Sequence, residues 1–199
     1  MLTKVIFIGI VVYFVSQRIR ATQFSKRNAA VVLANGGQMH ASNYLGVVKV
    51  MQLSWFLAMI AEVWLFNRPF IPALAICALI LTVVSQTLRY LSMRELGDRW
   101  IHQVVTVPGT PVIESGVYKY IRHPNWCALI IELAVVPLIH TAYLTAIIFT
   151  LVNAWLLIQR IPAEEKALSE DTNYDAVFGN RPRFIPTISF NRKNNLQSS

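Results

Sequence analysis

Nineteen consecutive residues, Phe70 to Leu88, contain no Asp, Glu, Lys or Arg. A run that long and that apolar restricts the fold severely. About 20 helical residues cross a hydrocarbon core of about 30 Å, and inside hydrocarbon a chain satisfies its backbone only as helix or closed barrel. Leu45 to Phe66 is a second run, of 22 residues. Lys49 lies near its start, from where it can snorkel to the interface. Glu62 lies deep within it and reads as a protonated or hydrogen-bonded carboxyl turned toward other helices. Asn67-Arg68-Pro69 between the two runs is a tight turn, because proline disfavours helix in the residue before it and suits the start of the next helix.

Leu2 to Val15, Trp126 to Ile139 and Leu144 to Ile158 are further apolar segments. The expected fold is therefore all-α: a polytopic membrane protein with about five transmembrane helices. Leu2–Val15 spans only 14 residues. Lys4 alone stands at its start, while Arg18, Arg20, Lys26 and Arg27 follow, the reverse of a cleaved signal peptide. Ala21 to Ser42 is polar, contains Gly36-Gly37, and reads as a cytoplasmic connection with some interfacial helix. Trp126–Ile139 is short, so its hairpin with Leu144–Ile158 is expected to tilt little or to stop within the bilayer.

With 199 residues, 55% of them hydrophobic and 14% charged, one domain is expected over 1–190, its catalytic half at about 88–186. The tail 191–199 is expected to be disordered. A net charge of +8 invites a nucleic-acid partner, but the charges flank apolar runs. With five spans, all 18 Lys and Arg residues except Lys4 and Arg68 fall on one side. That bias places the N-terminus outside and the C-terminus in the cytoplasm. Cys77 and Cys127 sit within apolar runs and read as reduced, packed thiols. The four histidines have no metal-ligand spacing, no G-x-G-x-x-G is present, and no metal is expected.

Two blocks carry the chemistry. The first, Gly116-Val-Tyr-Lys-Tyr-Ile-Arg-His-Pro-Asn-Trp126, ends a long non-lipidic stretch, Gln86 to Pro124, broken by Val107-Pro-Gly-Thr-Pro111 and Ser115-Gly116. A helix opening at Pro124, with His123 near its N-cap, presents free N–H groups and a positive dipole end to an anion. Arg122 and His123 add donors, and Tyr118, Tyr120 and Trp126 add faces that stack on a base or attract a cation. S-adenosylmethionine has a carboxylate, cationic centres and a purine. An interfacial belt of aromatics and snorkelling cations explains the same residues equally well. The second block is Arg160-Ile-Pro-Ala-Glu164-Glu165. In a straight helix Asn153, Arg160 and Glu164 share a face, but Pro162 is expected to kink or restart the helix. Arg160 either pairs with Glu164 or holds a substrate carboxylate while Glu164 takes an ammonium or ribose hydroxyls.

At these residues the chain resembles the isoprenylcysteine carboxyl methyltransferase family of integral membrane enzymes. The pattern is Gly116-Val-Tyr118, Arg122-His-Pro-Asn-Trp126, an apolar hairpin, then Arg160-Ile-Pro-Ala-Glu164-Glu165; Leu96-Gly97-Asp-Arg-Trp100 and the stretch from Asn173-Tyr174 to Arg183-Phe-Ile-Pro186 are also similar. Coverage runs from about Leu88 to Pro186. The resemblance implies methyl transfer from S-adenosylmethionine, bound on the cytosolic side, to a lipophilic acceptor entering from the bilayer, in first place an isoprenylcysteine-like carboxylate. It further implies that Gln103, Val112, Ile113, Tyr118, His123, Pro124, Trp126 and Glu164 contact the cofactor, and that Arg160 holds the acceptor, with Arg160 and Glu164 as the catalytic pair. Trp126 stands where Tyr is more usual, and Thr110 where eukaryotic members have His. Other acceptors remain open: a lipophilic phenol or polyketide, or a phospholipid amine. An NADPH-dependent membrane reductase of related fold and a non-catalytic membrane scaffold are the alternatives from other classes.

Overall fold

The computed structural model describes residues 1–40 and 44–186; the tail expected to be disordered, 191–199, lies outside the described residues. The fold is all-α. Helices α1 (Leu2–Ala34), α2 (Tyr44–Leu65), α3 (Pro72–Leu96), α4 (Pro124–Val135), α5 (Tyr143–Asp171) and α6 (Tyr174–Phe178) account for most of it. Two two-residue strands, β1 (Gln38–Met39) and β2 (Val105–Thr106), pair antiparallel with Gln38 opposite Thr106. α1, α2, α5 and the helical stretch containing α3 are each long and apolar enough to cross a membrane. The fifth apolar segment, α4 with the short 3-10 turn Pro137–His140, is 17 residues, about 25 Å at ~1.5 Å per residue.

That short segment nevertheless runs from one end of the bundle to the other. Its Pro124 start lies beside Glu164 and Glu165 of α5, and its far end brings His140 Nε2 within 3.3 Å of Thr3 Oγ1. The same far end gathers Lys4, whose Nζ donates to Asn67 Oδ1 at 2.8 Å, and Thr141, which donates to the Pro69 carbonyl at 2.6 Å. Glu62 belongs to this end. It accepts from the Leu144 and Thr145 N–H groups at 3.1 and 2.7 Å, from the Thr145 hydroxyl and from Arg68. It thus caps the otherwise uncapped first turn of α5, as a hydrogen-bonded carboxyl facing another helix.

The outside of the bundle is apolar and its inside holds the polar groups, the pattern of a lipid-facing surface. On α5 Leu151 and Ile158 are 65% and 74% exposed while Asn153 and Arg160 are buried. The buried face of α3 is a stripe of Ala75, Ala78, Thr82, Ser85 and Ser92 at alternating three- and four-residue steps, interrupted by Arg89. Small side chains let α4 approach closely, and Ser85 Oγ donates across to the Ala128 carbonyl at 2.8 Å. Phe7, Phe14, Met51, Trp55, Met59, Leu129 and Leu133 fill the core between α1, α2 and α4.

Three expectations are corrected. α1 does not stop at Val15: it continues unbroken to Ala34, 33 residues in all. At ~1.5 Å per residue that is about 50 Å, well beyond the hydrocarbon core. The extension is kept by packing, because Ala21, Ser25, Asn28, Ala29 and Val32 form a buried stripe on one face. α5 likewise carries Pro162 within the helix and continues to Asp171, so Asn153, Arg160 and Glu164 stay on one continuous helix. Cys77 is exposed on the outer face of α3 rather than packed, while Cys127 is half-buried.

Candidate active site

Residues 97–113 fold back over the projecting ends of α1 and α5. Asn28 Nδ2 donates to the carbonyls of Gly97 and Trp100, both at 3.1 Å, and Ser25 Oγ accepts from the His102 N–H at 2.8 Å. Val107-Pro-Gly-Thr forms a turn closed by Thr110 N–H to the Val107 carbonyl at 3.1 Å, with Gly109 at φ +75°. A type II turn needs that sign of φ at its third residue, and glycine supplies it. The Gly109 N–H then donates to the Asp171 carbonyl at 2.9 Å. His40, beyond α1, reaches both Thr106 Oγ1 at 2.8 Å and Asp171 Oδ2 at 2.9 Å. The connection expected to break helix thus becomes a strap tied down on both sides.

Beneath the strap lies a cavity of about 230 Å³. Gln103, Val112, Ile113, Tyr118, His123, Trp126, Arg160 and Glu164 all line it, together with Thr110. Pro124 does not. It is buried as the first residue of α4 with His123 as N-cap, so it fixes where the helix begins rather than facing the cavity. On the opposite wall Trp126 Nε1 donates to Glu164 Oε2 at 3.3 Å, and the Arg160 guanidinium lies 6.0 Å from the Trp126 ring centroid. The Arg160–Glu164 pair is looser, 3.9 Å, and Arg160 Nη2 donates to the His102 carbonyl at 3.0 Å. Neighbouring positions are fixed too. Val112 N–H donates to Asn173 Oδ1 at 2.8 Å, and Gln103 Nε2 approaches the Met39 sulfur at 3.7 Å. Burial, with Glu164 and Glu95 nearby, pushes the Tyr118 phenol well above its ordinary value, so it stays protonated.

The first block is less open than its sequence suggests. Arg122 and His123 give their backbone N–H groups to the carbonyls of Pro182 and Arg183 at 3.0 and 3.1 Å. The Arg122 side chain binds the carbonyls of Arg181 and Gly179. This block therefore anchors the segment after α6 as well as walling the cavity. Glu165 is the hub of that anchoring: it binds His123 Nε2 at 3.0 Å and Arg183 Nη2 at 2.6 Å, with Arg122 and Tyr174 at 3.5 Å. Sequence reasoning assigned a role to Glu164 alone. Adjacent helical residues point about 100° apart, so one faces the cavity and the other the anchor, and nothing in the pair says which.

A second set of residues went unseen. Glu132 of α4, fully buried, takes Arg18 of α1 on one oxygen and Arg89 and Gln86 of α3 on the other, the last two at 2.7 and 3.0 Å. Arg18 and Arg89, expected among charges flanking the apolar runs, are thus turned inward, and both line the cavity. His102 registers their field: burial first, then the charges of Arg18, Arg89, Lys49 and Arg160, push it down to about 4. Its ring is neutral at physiological pH and rests edge-on against Trp100, centroids 4.7 Å apart.

Comparison with known proteins places residues 76–170 within the profile of the isoprenylcysteine carboxyl methyltransferase family. An uncharacterized protein of Bacillus subtilis, YpbQ, is 35% identical over 162 residues, covering 81% of this chain and 95% of its own. An uncharacterized protein of Haemophilus influenzae is 27% identical over 153 residues, 76% of this chain and 88% of its own.

Proposed function

Because the chain belongs to the isoprenylcysteine carboxyl methyltransferase family, whose members are membrane methyltransferases, we propose that it moves a methyl group from S-adenosylmethionine to a lipophilic acceptor. The favoured acceptor is the carboxylate of an isoprenylcysteine-like molecule. The observation that supports this most is the contact set of Trp126, Glu164 and Arg160 on one wall of a cavity at the end of the bundle. Its donor set suits that cofactor. Glu164 offers a carboxylate to the ammonium or the ribose hydroxyls, Trp126 a face to the purine, and Val112 and Ile113 an apolar wall.

When bound, the cofactor supplies an electrophilic methyl on a sulfonium that leaves as a neutral thioether. The protein's work is alignment and exclusion of water. Arg160 orients the acceptor carboxylate, which at a pKa of ~4 is already ionised and needs no base. Tyr118, held protonated by burial, keeps a neutral donor on the wall without adding charge. The strap at 97–113 covers the side away from lipid. The distribution of Lys and Arg argues for a cytoplasmic site, and the whole of 1–190 acts as one unit.

Equilibrium binding to the purified protein tests the reading. S-adenosylhomocysteine should bind and NADPH should not. Binding of NADPH alone would move the protein to the reductases, and binding of neither would make it a scaffold.

A further inference from the structure

The cavity wall on the side away from lipid is the strap, where Gln103 to Val107 and Thr110 to Ile113 all line it. A water-soluble ligand meets this stretch on its way in. The two halves of the strap are held differently. Residues 97–102 rest on Ser25 and Asn28 of α1, and Arg160 takes the His102 carbonyl; all three side chains are buried. The outer half is held by bonds that gather at the end of α5. Asp171, its last residue, binds His40 Nε2 at 2.9 Å and the Thr106 hydroxyl on one carboxylate oxygen. The Asp171 carbonyl accepts the Gly109 N–H at 2.9 Å, and Asn173 Oδ1 accepts the Val112 N–H at 2.8 Å. His40 also belongs to the strap side, because its own N–H bonds the Val104 carbonyl at 2.9 Å. The His40 and Asp171 side chains are 29% and 17% exposed, and neither residue lines the cavity.

We propose that the contact of His40 with Asp171 is a latch: it keeps residues 38–40 and 104–112 closed over the cavity, and its release sets how fast the cofactor exchanges. The word cofactor rests on the methyltransferase reading above; the latch rests on the strap's own contacts. The moving part is a single body. β1 stays paired with β2, His40 stays on Val104, and Pro108 and Pro111 fix φ on either side of the Gly109 turn. Four bonds join that body to α5 and the turn after it, from His40, Thr106, Gly109 and Val112, and all four break together when it lifts. Arg99, exposed and flexible, holds the Pro111 carbonyl at 2.7 Å and follows it. The inner half stays down, since lifting it would leave buried Ser25 and Asn28 without partners. A latch that is closed in both the empty and the occupied protein cancels from the binding equilibrium. It does not cancel from the rates, because ligand passes only through the open form. Losing it therefore speeds entry and exit by the same factor. His40 and Asp171 touch no ligand in this scheme, so they act on exchange only through the strap.

The test uses the full-length protein in nanodiscs, with S-adenosylhomocysteine as the probe and Trp126, on the cavity wall, as the fluorophore for stopped-flow binding. His40→Ala should raise the association and dissociation rates together by about tenfold, the scale of one charge-assisted hydrogen bond, and leave Kd within about twofold. His40→Gln keeps a nitrogen donor and should return both rates to within about twofold of wild type. Asp171→Ala also loses the Thr106 bond and should be at least as fast as His40→Ala. The double variant should match Asp171→Ala alone, since both changes remove one shared contact. Should Asp171→Ala not fold, the two His40 variants decide. Hydrogen exchange of the ligand-free protein gives a second readout that needs no cofactor. The Gly109 and Val112 amides should exchange about tenfold faster in His40→Ala, while the His102 amide, bonded to Ser25, keeps its protection. Unchanged Gly109 and Val112 exchange would overturn the latch. So would unchanged binding rates, or a weaker Kd produced by faster dissociation alone, which would make the contact part of the bound state instead. Wild-type binding of S-adenosylhomocysteine with rates insensitive to His40→Ala sinks this inference and spares the methyltransferase reading. Failure of the wild type to bind it, with the exchange response intact, sinks that reading and keeps the latch.

Discussion

Arg160 is buried, with its guanidinium near the Trp126 ring and bonded to the His102 carbonyl, so its charge and its shape can be removed separately. Arg160→Leu should abolish turnover while S-adenosylhomocysteine still binds. Arg160→Lys should recover only part of the rate, since a point charge cannot reproduce a planar fork on a carboxylate. Rates measured from pH 6 to 8 should be flat for an acid acceptor, whose pKa is ~4, and should climb for a phenol, whose pKa is ~10. A steep climb combined with an active Arg160→Leu enzyme would exclude the carboxylate. His102 gives a stability prediction with a definite sign. Burial and four neighbouring cations depress it from 6.5 to about 4, so the folded state resists the proton that the unfolded chain accepts. Stability from this residue is complete above pH 6.5 and drains away as pH falls toward 4. At pH 5 the loss should be about 1–2 kcal/mol. The fall in melting temperature between pH 7 and pH 5 in detergent should be visibly smaller in His102→Gln; identical falls would refute it.

At the scale of elements, what the sequence reveals depends on how local the cause is. α2 and α3 are legible from their apolar lengths, and the α4 start from Pro124, because each signal sits within the element itself. The second half of α1 is not. Its polar surface looks like a linker until the strap and β2 arrive to cover Ser25, Asn28 and Val32. Pro162 misleads for a related reason. A proline ends a helix when nothing else holds the next turn, but here Glu165 and Asp171 are both tied down. Gly116 combines a local cause with a distant one. It sits at φ +55°, and a Cβ there would meet the Glu95 side chain at 2.3 Å. Glu95 in turn receives the Ser115 hydroxyl at 2.6 Å. Gly116→Ala should therefore lower stability by about 1–2 kcal/mol, the left-handed backbone penalty for an L-residue. A melting temperature equal to wild type would show that the turn relaxes freely.

The whole molecule combines a legible site with an illegible support. Every cavity-lining residue named from the two blocks was close to a recognisable motif, whereas the Arg18–Glu132–Arg89 cluster joins residues up to 114 positions apart, with nothing in their spacing to join them. The arrangement of the spans puts Lys4 and Asn67 at one end and Arg160 at the other. In a cysteine-free background, Thr3→Cys should react with an impermeant thiol reagent from outside the cell and Glu114→Cys only from within; the reverse would invert the active site. The long separation also has a history in time. A ribosome adds about 5–20 residues per second, so Arg18 enters the membrane roughly 6–23 s before Glu132 is made. Through that interval its charge can rest only at the interface, on a helix that sits short of its final depth. Emergence of α4 should then be what seats α1, and a chain cut before residue 132 should hold α1 at a shallower depth than the full-length protein.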